Sequence, residues 1–580
     1  MCMIMQQFFK HHKIALISGL FISLFCQVQC SDGFLDKQPL SLDQTALANK
    51  KGVNAILIGA YSLLEGRGAG GSYENTTSNW SFGSIRGGDA HKGADPSSQP
   101  DINNIERYES NPTDNYYLGK WRTIYEGVVR ANNTLKVLRL VKDMTDDEKK
   151  NVTAQARFLR AFYHFEAKKL WNNVPYLSDS LTDLNPKVPN NRDIWPDIVA
   201  DLQFAADNLP ETQDMIGRVN KWTATAFLAK AYMYQRKFAE AKPLIEAVLT
   251  NGKNSRGVKY QLNNCFQDNF NPATKNSPEA ILEAQTSVND GASGANGNSD
   301  VLNYPYTGGP GKCCGTFQPS QDLVNSYKTD ANGLPLLMNY GDVDVKNDEG
   351  IPSDQPFTPY TGQLDPRVDW TVGRRGIPYL DWGPHPGAAW IRNQAYAGPY
   401  SPKKNVYYKE QQGKFSDASS PTAVANNIKL LRLAEVILWA AECEAEIGDP
   451  DKARTYVNQL RTRARNSCYV QLPDGTPAAD YYVDLYQTPW TSRTDALKAI
   501  RFENKLELAM EGHRFFDLVR WGIADTELNA YLAKESIKRV YLKGATFTKN
   551  EDEYYPIPQT EIQNSYVNGQ ATLQQNPGYK

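Results

Sequence analysis

Two stretches far apart in the chain share one pattern of small and apolar residues, and that pattern leaves few folds open. Ala229, Tyr232, Ala241, Ile245 and Val248 in the first, and Ala441, Gly448, Ala453, Val457 and Leu460 in the second, carry the spacing of a helix-turn-helix repeat of roughly 34 residues. Small side chains where the two helices cross let their backbones approach closely. One occurrence is weak evidence, but two predict a mainly α scaffold of helix pairs. Further helices follow from apolar residues at three- and four-residue spacing over Trp121 to Leu140 and Val152 to Trp171. In the latter, Phe158, Leu159, Phe162, Phe165 and Leu170 form a broad apolar face, and Arg157, Arg160, Glu166 and Lys168 are expected to be mostly solvated. Asp193 is expected to cap a helix that runs to Asn208 and halts at Leu209-Pro210. A last helix is expected over Ala496 to Gly512.

The helical period disappears between residues 285 and 425. This segment is rich in Gly, Pro and Asn, yet it holds Trp370, Trp382 and Trp390 with Tyr379, Tyr396, Tyr400, Tyr407 and Tyr408. Disordered linkers are poor in aromatic residues, so an ordered, loop-rich subdomain packed on the helices is expected. A shorter irregular insertion, residues 66–118, contains Tyr73, Trp80, Arg86, Asp89 and Tyr108. The expected organisation is a signal peptide over 1–29 and a helical-repeat region over 30–284 interrupted by the 66–118 insertion. The aromatic loop subdomain then spans 285–425, and a C-terminal helical region spans 426–580.

Residues 1–29 include Lys10 and Lys13 but no Arg, Asp or Glu, and Ile14 to Phe25 is an uninterrupted apolar and weakly polar run. That run is too short to span a bilayer and reads as a cleaved secretory signal. Cys30 is the candidate lipidation site, with Cys26 as the alternative and cleavage without lipidation as the remaining one. Removing the signal leaves 61 basic and 65 acidic groups, a net charge of about −4. A near-neutral balance argues against nucleic acid, which requires a concentrated basic surface. Beyond the signal and Cys30, five cysteines remain: Cys265, Cys313, Cys314, Cys443 and Cys468. None forms a CxxC pair, which argues against a zinc ribbon or a thioredoxin-type site. Cys443 is read as a small core residue, and Cys313-Cys314 as two free thiols, with a vicinal disulfide or a site-lining role as alternatives.

A series of short motifs then falls in a specific order. Phe34-Leu35-Asp36 and Pro39 follow the lipidation cysteine, with Gly88-Asp89-Ala90 and Trp121 through Tyr125 to Ala131-Asn132 after them. Ala156-Arg157-Phe158-Leu159-Arg160-Ala161-Phe162-Tyr163, Trp171 and Val174-Pro175 come next, then Leu431 to Val436 and Asn458 to Ala464. The most specific stretch runs from Phe502-Glu503 through Glu511-Gly512-His513-Arg514 to Arg520-Trp521-Gly522. In these motifs the chain resembles the SusD/RagB family of lipoproteins, over nearly its whole length past the signal. It departs from the family pattern at Asn504, where Arg is more usual, and in the residues just before Cys30. The resemblance implies a tetratricopeptide-like helical-repeat scaffold with a loop-rich irregular ligand-binding subdomain. It also implies an outer-membrane, lipid-anchored, surface-exposed protein that passes captured oligomers to a SusC-like TonB-dependent transporter.

Sugars present flat C–H faces and hydroxylated rims, so they are bound by aromatic platforms supplemented by carboxylates, amides and Arg. Trp80, Arg86 and Asp89 from the first irregular segment, and Arg374, Trp382, Trp390 and Tyr396 from the second, are the candidate glycan-binding residues. The competing reading is that these aromatics form the loop subdomain's own small core, and that Asp89 caps a turn. Arg514, Asp517 and Arg520 are read as structural ion pairs on one helical face. No HExxH, GxSxG or GxxxxGK[ST] motif occurs, and no EF-hand pattern supports calcium, so neither catalysis, a metal nor a cofactor is expected. Oligosaccharide capture is the leading expectation. Peptide capture by a RagB-like importer is the alternative, and a helical assembly protein without a small ligand is a third.

Overall fold

The computed structural model describes residues 46–68, 73–183 and 185–579. The expected signal peptide and Cys30 lie outside the described residues. Eleven helices of eight or more residues are numbered here in chain order: α1 Lys50–Tyr61, α2 Asn115–Leu138, α3 Asp146–Trp171, α4 Trp195–Asn208, α5 Lys221–Tyr234, α6 Phe238–Asn251, α7 Leu433–Ile447, α8 Pro450–Asn466, α9 Arg493–Glu507, α10 Arg514–Trp521 and α11 Ala524–Lys538. From α1 to α6 each long helix packs on the next or next but one, and α7 then docks on α6 and carries α8 and α9. The pairs α5–α6 and α7–α8 are the two stretches that share the repeat spacing. Ala229, Ala241, Ile245 and Val248 in one pair, and Ala441, Ala453, Val457 and Leu460 in the other, are buried where the helices meet.

Local chemistry sets where these helices begin. Thr145 accepts the Glu148 N–H while the Glu148 carboxylate accepts the Thr145 N–H, and three acidic residues occupy the first turn of α3. Its apolar face then closes on α5, with Phe158, Phe162 and Phe165 set around Phe227 at ring separations of 5.5, 5.5 and 5.2 Å. The polar side of α3 departs from expectation. Arg160, Glu166 and Lys168 are buried, because α3 is covered by α2 and α4, and they are matched in place: Arg160 pairs with Asp201 at 2.7 Å and Glu166 with Lys169 at 2.7 Å. Asp193 sits one residue before the helix cap at Ile194 and accepts the Trp195 N–H at 3.2 Å. Helix α9 ends at Glu507 rather than at Gly512. Beyond it Met510 and Gly512 adopt left-handed backbone, and a Cβ on Gly512 would lie 1.9 Å from the Ser78 carbonyl oxygen, so only glycine fits.

The strands are short and pair two by two. β1 Ala90–Lys92 is antiparallel to β3 Phe317–Pro319, β2 Ala280–Ala284 to β6 Ile428–Arg432, β4 Val372–Gly373 to β5 Ser401–Pro402, and β7 Tyr566–Val567 to β8 Gln570–Ala571. The β2–β6 pair joins the two ends of the long loop-rich segment where it leaves and re-enters the helices.

Buried charge fastens those loops to the scaffold. Arg432 reaches Glu279, Glu507 and Glu511 at 2.9, 2.6 and 2.9 Å; Arg367 reaches Asp365 and Glu503, both at 2.7 Å; Arg461 reaches Glu503 at 3.1 Å; Lys404 reaches Glu511 at 2.7 Å. Burial opposes ionisation of Glu511, but Arg432 and Lys404 outweigh it and hold the carboxyl down to about 2. Beside this network a disulfide, not anticipated from the sequence, joins Cys265 to Cys468 across 203 residues. Cys313 and Cys314, expected as free thiols, are bonded to each other, whereas Cys443 is a free, buried core residue.

Candidate functional site

The seven residues chosen from the sequence separate into an internal group and a surface group. Arg86 is fully buried: its guanidinium donates to the Asp552 carbonyl and carboxylate at 2.7 and 3.1 Å and lies 4.7–5.0 Å from the rings of Tyr108, Phe515 and Tyr555. This ties the first irregular segment to the C-terminal tail. Asp89 is also buried and accepts the Met510 N–H at 3.0 Å, which secures the turn after α9. Burial pushes its carboxyl up to about 6, against the pull of the Met510 N–H. Arg374 makes a bidentate pair with Asp369 at 2.7 and 2.8 Å, beneath the surface. Trp80 is 1% exposed and packs edge-on against Phe317 at 5.6 Å. It borders an internal cavity of about 30 Å³, shared with Asp300, Asn303, Lys404, Lys429 and Glu511, which has room for water and none for a sugar ring. The expectation of ligand contact is therefore corrected for Trp80, Arg86, Asp89 and Arg374. Each is buried and makes its contacts inside the protein, although Arg86 Nε and Asp89 Oδ1 have no hydrogen-bond partner, and Asp89 follows the capping alternative.

Trp382 and Trp390 lie farther out. Tyr304, Tyr379, Val406, Tyr407 and Val424 form a small separate core within the loop segment, and Trp382 and Trp390 pack half-buried on its edge. Trp382 donates its indole N–H to the Tyr407 carbonyl at 3.0 Å, and Trp390 stands edge-on to Tyr379 and His385 at 5.4 and 5.1 Å. Both rings are thus fixed by their inner edges, with part of each left to solvent. Tyr396, by contrast, is buried: it packs at a tilt on Tyr541 at 4.5 Å and donates its hydroxyl to Asn103 at 2.5 Å, so the expectation of ligand contact is corrected for it too, and it belongs to the seam between the two irregular segments.

That seam brings together residues the sequence did not single out. Residues 302–316 form a hairpin whose arms are held by hydrogen bonds from the Cys314, Gly315 and Thr316 N–H groups to the Leu302 and Tyr304 carbonyls. Its tip lies on Trp390. The Tyr306 N–H donates to the Trp390 carbonyl at 2.9 Å, and a Cβ on Gly308 would come within 1.8 Å of the indole nitrogen, so glycine there lets the ring sit flush against backbone. On the other side, the Gly93 and Ala94 N–H groups donate to Thr316 and Gly315 at 2.7 and 2.6 Å. The next residue, Asp95, pairs with Arg392, whose guanidinium lies 5.2 Å above the Tyr306 ring. Tyr306, Trp390, Arg392 and the Cys313–Cys314 pair thus share one rim where the 66–118 and 285–425 segments meet. A usable signal was present: Tyr306-Thr307-Gly308-Gly309-Pro310-Gly311-Lys312 is a glycine-rich loop tip framed by an aromatic residue and a Cys-Cys pair.

Stacked helix pairs bearing an aromatic, loop-built face define a helical-repeat protein whose exposed chemistry resides in its irregular segments. Known proteins share this architecture. The family model described as "SusD family" matches residues 278–579, and that described as "Starch-binding associating with outer membrane" matches residues 33–233. The chain therefore belongs to the SusD family. It is 24% identical to SusD-like protein P2 of Formosa agariphila, over 98% of this chain and 100% of that one. It is 25% identical to the starch-binding protein SusD of Bacteroides thetaiotaomicron, over 75% of this chain and 74% of that one. Its fold superposes with a TM-score of 0.64, at 21% identity and covering 91% of this chain and 99% of the other, on surface glycan-binding protein A from Bacteroides thetaiotaomicron in complex with laminarihexaose. Among the described residues no helix is long and apolar enough to cross a membrane, and no group of three His, Cys, Asp or Glu side chains could hold a metal ion.

Proposed function

We propose that this protein is a cell-surface glycan-binding lipoprotein, anchored through Cys30, that captures oligosaccharides on its loop face and delivers them to a SusC-like TonB-dependent transporter. One observation carries the reading: Trp382 and Trp390 are partly exposed at the edge of a dedicated aromatic core, and Arg392, two residues after Trp390, lies over the neighbouring Tyr306 ring. Rigid aromatic surface rimmed by hydrogen-bond donors suits the C–H faces and hydroxyls of a pyranose, and it costs little side-chain entropy to use. A relative named for starch binding, and a fold neighbour solved with laminarihexaose, support a glycan as the ligand class. This reading assigns the face binding without turnover and gives no carboxylate a catalytic role.

The test is isothermal titration of the chain from residue 31 onward with laminarihexaose, maltohexaose and a hexapeptide mixture. Saturable heat with a hexasaccharide that weakens about tenfold or more in Trp390→Ala supports the reading, since a stacked aromatic contact carries roughly that much. Heat with peptides alone refutes it in favour of peptide capture. Co-purification of the lipidated chain with a TonB-dependent barrel tests the delivery step.

A further inference from the structure

The Cys313–Cys314 disulfide has no evident use as a cross-link. A disulfide stabilises chiefly by closing a loop in the unfolded chain, and the benefit grows with the length closed. Cys265–Cys468 spans 203 residues, whereas Cys313–Cys314 joins sequence neighbours and restrains almost nothing beyond its own dipeptide. The hairpin that carries the pair is already held without it. The Cys314, Gly315 and Thr316 N–H groups are bonded across the hairpin, and the Gly311 N–H donates to the Tyr407 hydroxyl at 2.9 Å. Both cysteines are half-exposed, unlike the buried Cys443.

Their position is specific. Gly315, the residue after the pair, lies against Tyr306: a Cβ on it would sit 3.3 Å from the Tyr306 Cβ. Tyr306 is covered on one side by Arg392 and is tied through its N–H to Trp390. The backbone that carries the two cysteines therefore runs beside Tyr306, on the hairpin that lies on Trp390. Bonded to each other, the sulfurs have no thiol proton to donate and no thiolate to form. They present a compact, polarizable, apolar surface of the kind that packs well on C–H and ring faces.

Resting on the glycan reading above, we propose that the Cys313–Cys314 disulfide is a ligand-contacting part of the sugar platform. It would pack on the C–H face of a pyranose ring whose hydroxyls reach the Arg392 guanidinium and the Lys312 ammonium. The pair serves recognition, and stability rests elsewhere.

The test uses the chain from residue 31 onward as wild type, as the Cys313→Ser/Cys314→Ser variant and as Tyr306→Ala, each titrated with laminarihexaose and maltohexaose and melted in parallel. The expected result is that both variants melt within about 1 °C of wild type and bind the preferred hexasaccharide about fivefold to tenfold more weakly. An unchanged affinity in the double-serine variant overturns the inference while leaving the glycan reading standing. So does a melting loss as large as that of Cys265→Ser/Cys468→Ser, or a failure to fold while Tyr306→Ala folds and binds normally. A wild type that binds neither hexasaccharide refutes the glycan reading itself, and the inference falls with it.

Discussion

Removing the Cys265–Cys468 bond, as in Cys265→Ser/Cys468→Ser, should lower the melting temperature by an amount that the structure fixes in advance. The bond joins residues 203 apart, and the loop-closure relation for a loop of that length gives about 5 kcal/mol of lost stabilisation at 25 °C. The folded chain has about 530 described residues, and at about 2 cal/mol/K each its unfolding entropy is about 1.1 kcal/mol/K. The quotient is a fall of about 5 °C. Native contacts limit further loss, because the cross-linked loop is also held by the Phe266 N–H on Ser467 at 2.8 Å and by the Arg463 guanidinium 4.9 Å from the Phe266 ring. Scanning calorimetry of wild type and variant, with Cys313→Ser/Cys314→Ser as the comparison, reads the effect directly. A drop below about 1 °C, or an equal drop in the vicinal variant, would refute the argument that loop length separates the roles of the two disulfides.

Three further outcomes follow from the described contacts. Glu507→Gln removes the carboxylate shared by Arg367, Arg432 and Arg463, leaving three buried guanidiniums short of a counter-charge; urea unfolding should show a loss of about 3–5 kcal/mol, and a loss under about 1 kcal/mol would contradict the network's role. Burial holds the His164 imidazole down to about 3, with its Nε2 accepting the Leu177 N–H at 3.0 Å, so the unfolded chain takes up this proton first. Its contribution is complete above about pH 6.5 and declines by about 1.4 kcal/mol per pH unit as pH falls toward 3. His385 and His513 are shifted in the same direction, while Glu106 and Glu535 overcome burial and raise His91 in the opposite one. Stability of His164→Gln measured between about pH 4 and pH 7 should therefore fall less steeply than wild type, and an unchanged slope would count against the assignment. Cys30→Ser should move the protein from the membrane to the soluble fraction on cell fractionation; retention at the membrane would rule out Cys30 as the anchor.

What could be read in the sequence followed from whether the physics was local. The pairs α5–α6 and α7–α8 announce themselves because Ala229 and Ala241, or Ala441 and Ala453, are the small residues a close helix crossing demands. Arg160, Glu166 and Lys168 are expected to be solvated because charge on a helix normally faces water; their burial depends on neighbouring helices and on partners such as Asp201 for Arg160, some forty residues downstream, and Asp193 for Lys168. Arg86 and Asp89 have the residue types of a sugar site, yet their partners Asp552 and Met510 lie more than four hundred residues away. Cys265 and Cys468 could not be paired by spacing for the same reason. Trp382 and Trp390 show both sides of the aromatic argument, since the loop segment does use aromatics as its own core while leaving these two at its edge.

The loop segment joins the helices in two ways: Phe317, Leu323, Tyr327, Val368 and Tyr400 enter the main apolar core, and buried charge adds directional contacts to that apolar area. Arg367, Arg432, Arg461, Arg463 and Lys404 face Asp365, Glu279, Glu503, Glu507 and Glu511, five cations against five anions drawn from the loops, β6, α8, α9 and the turn after α9. Such a cluster is costly to desolvate and repays the cost only in one geometry, which makes it a poor source of stability but a strict determinant of position. On the proposed glycan reading, a face fixed in this way would meet its ligand already ordered, and affinity would depend on avoiding the entropic cost of arranging the platform at the moment of capture. The same reasoning accounts for Gly308 and Gly309 lying flush on Trp390, and for a hairpin bonded at Leu302 and Tyr304 beneath the Cys313–Cys314 pair. In each case backbone contacts immobilise the rim, and on Trp390 they cover part of the ring itself.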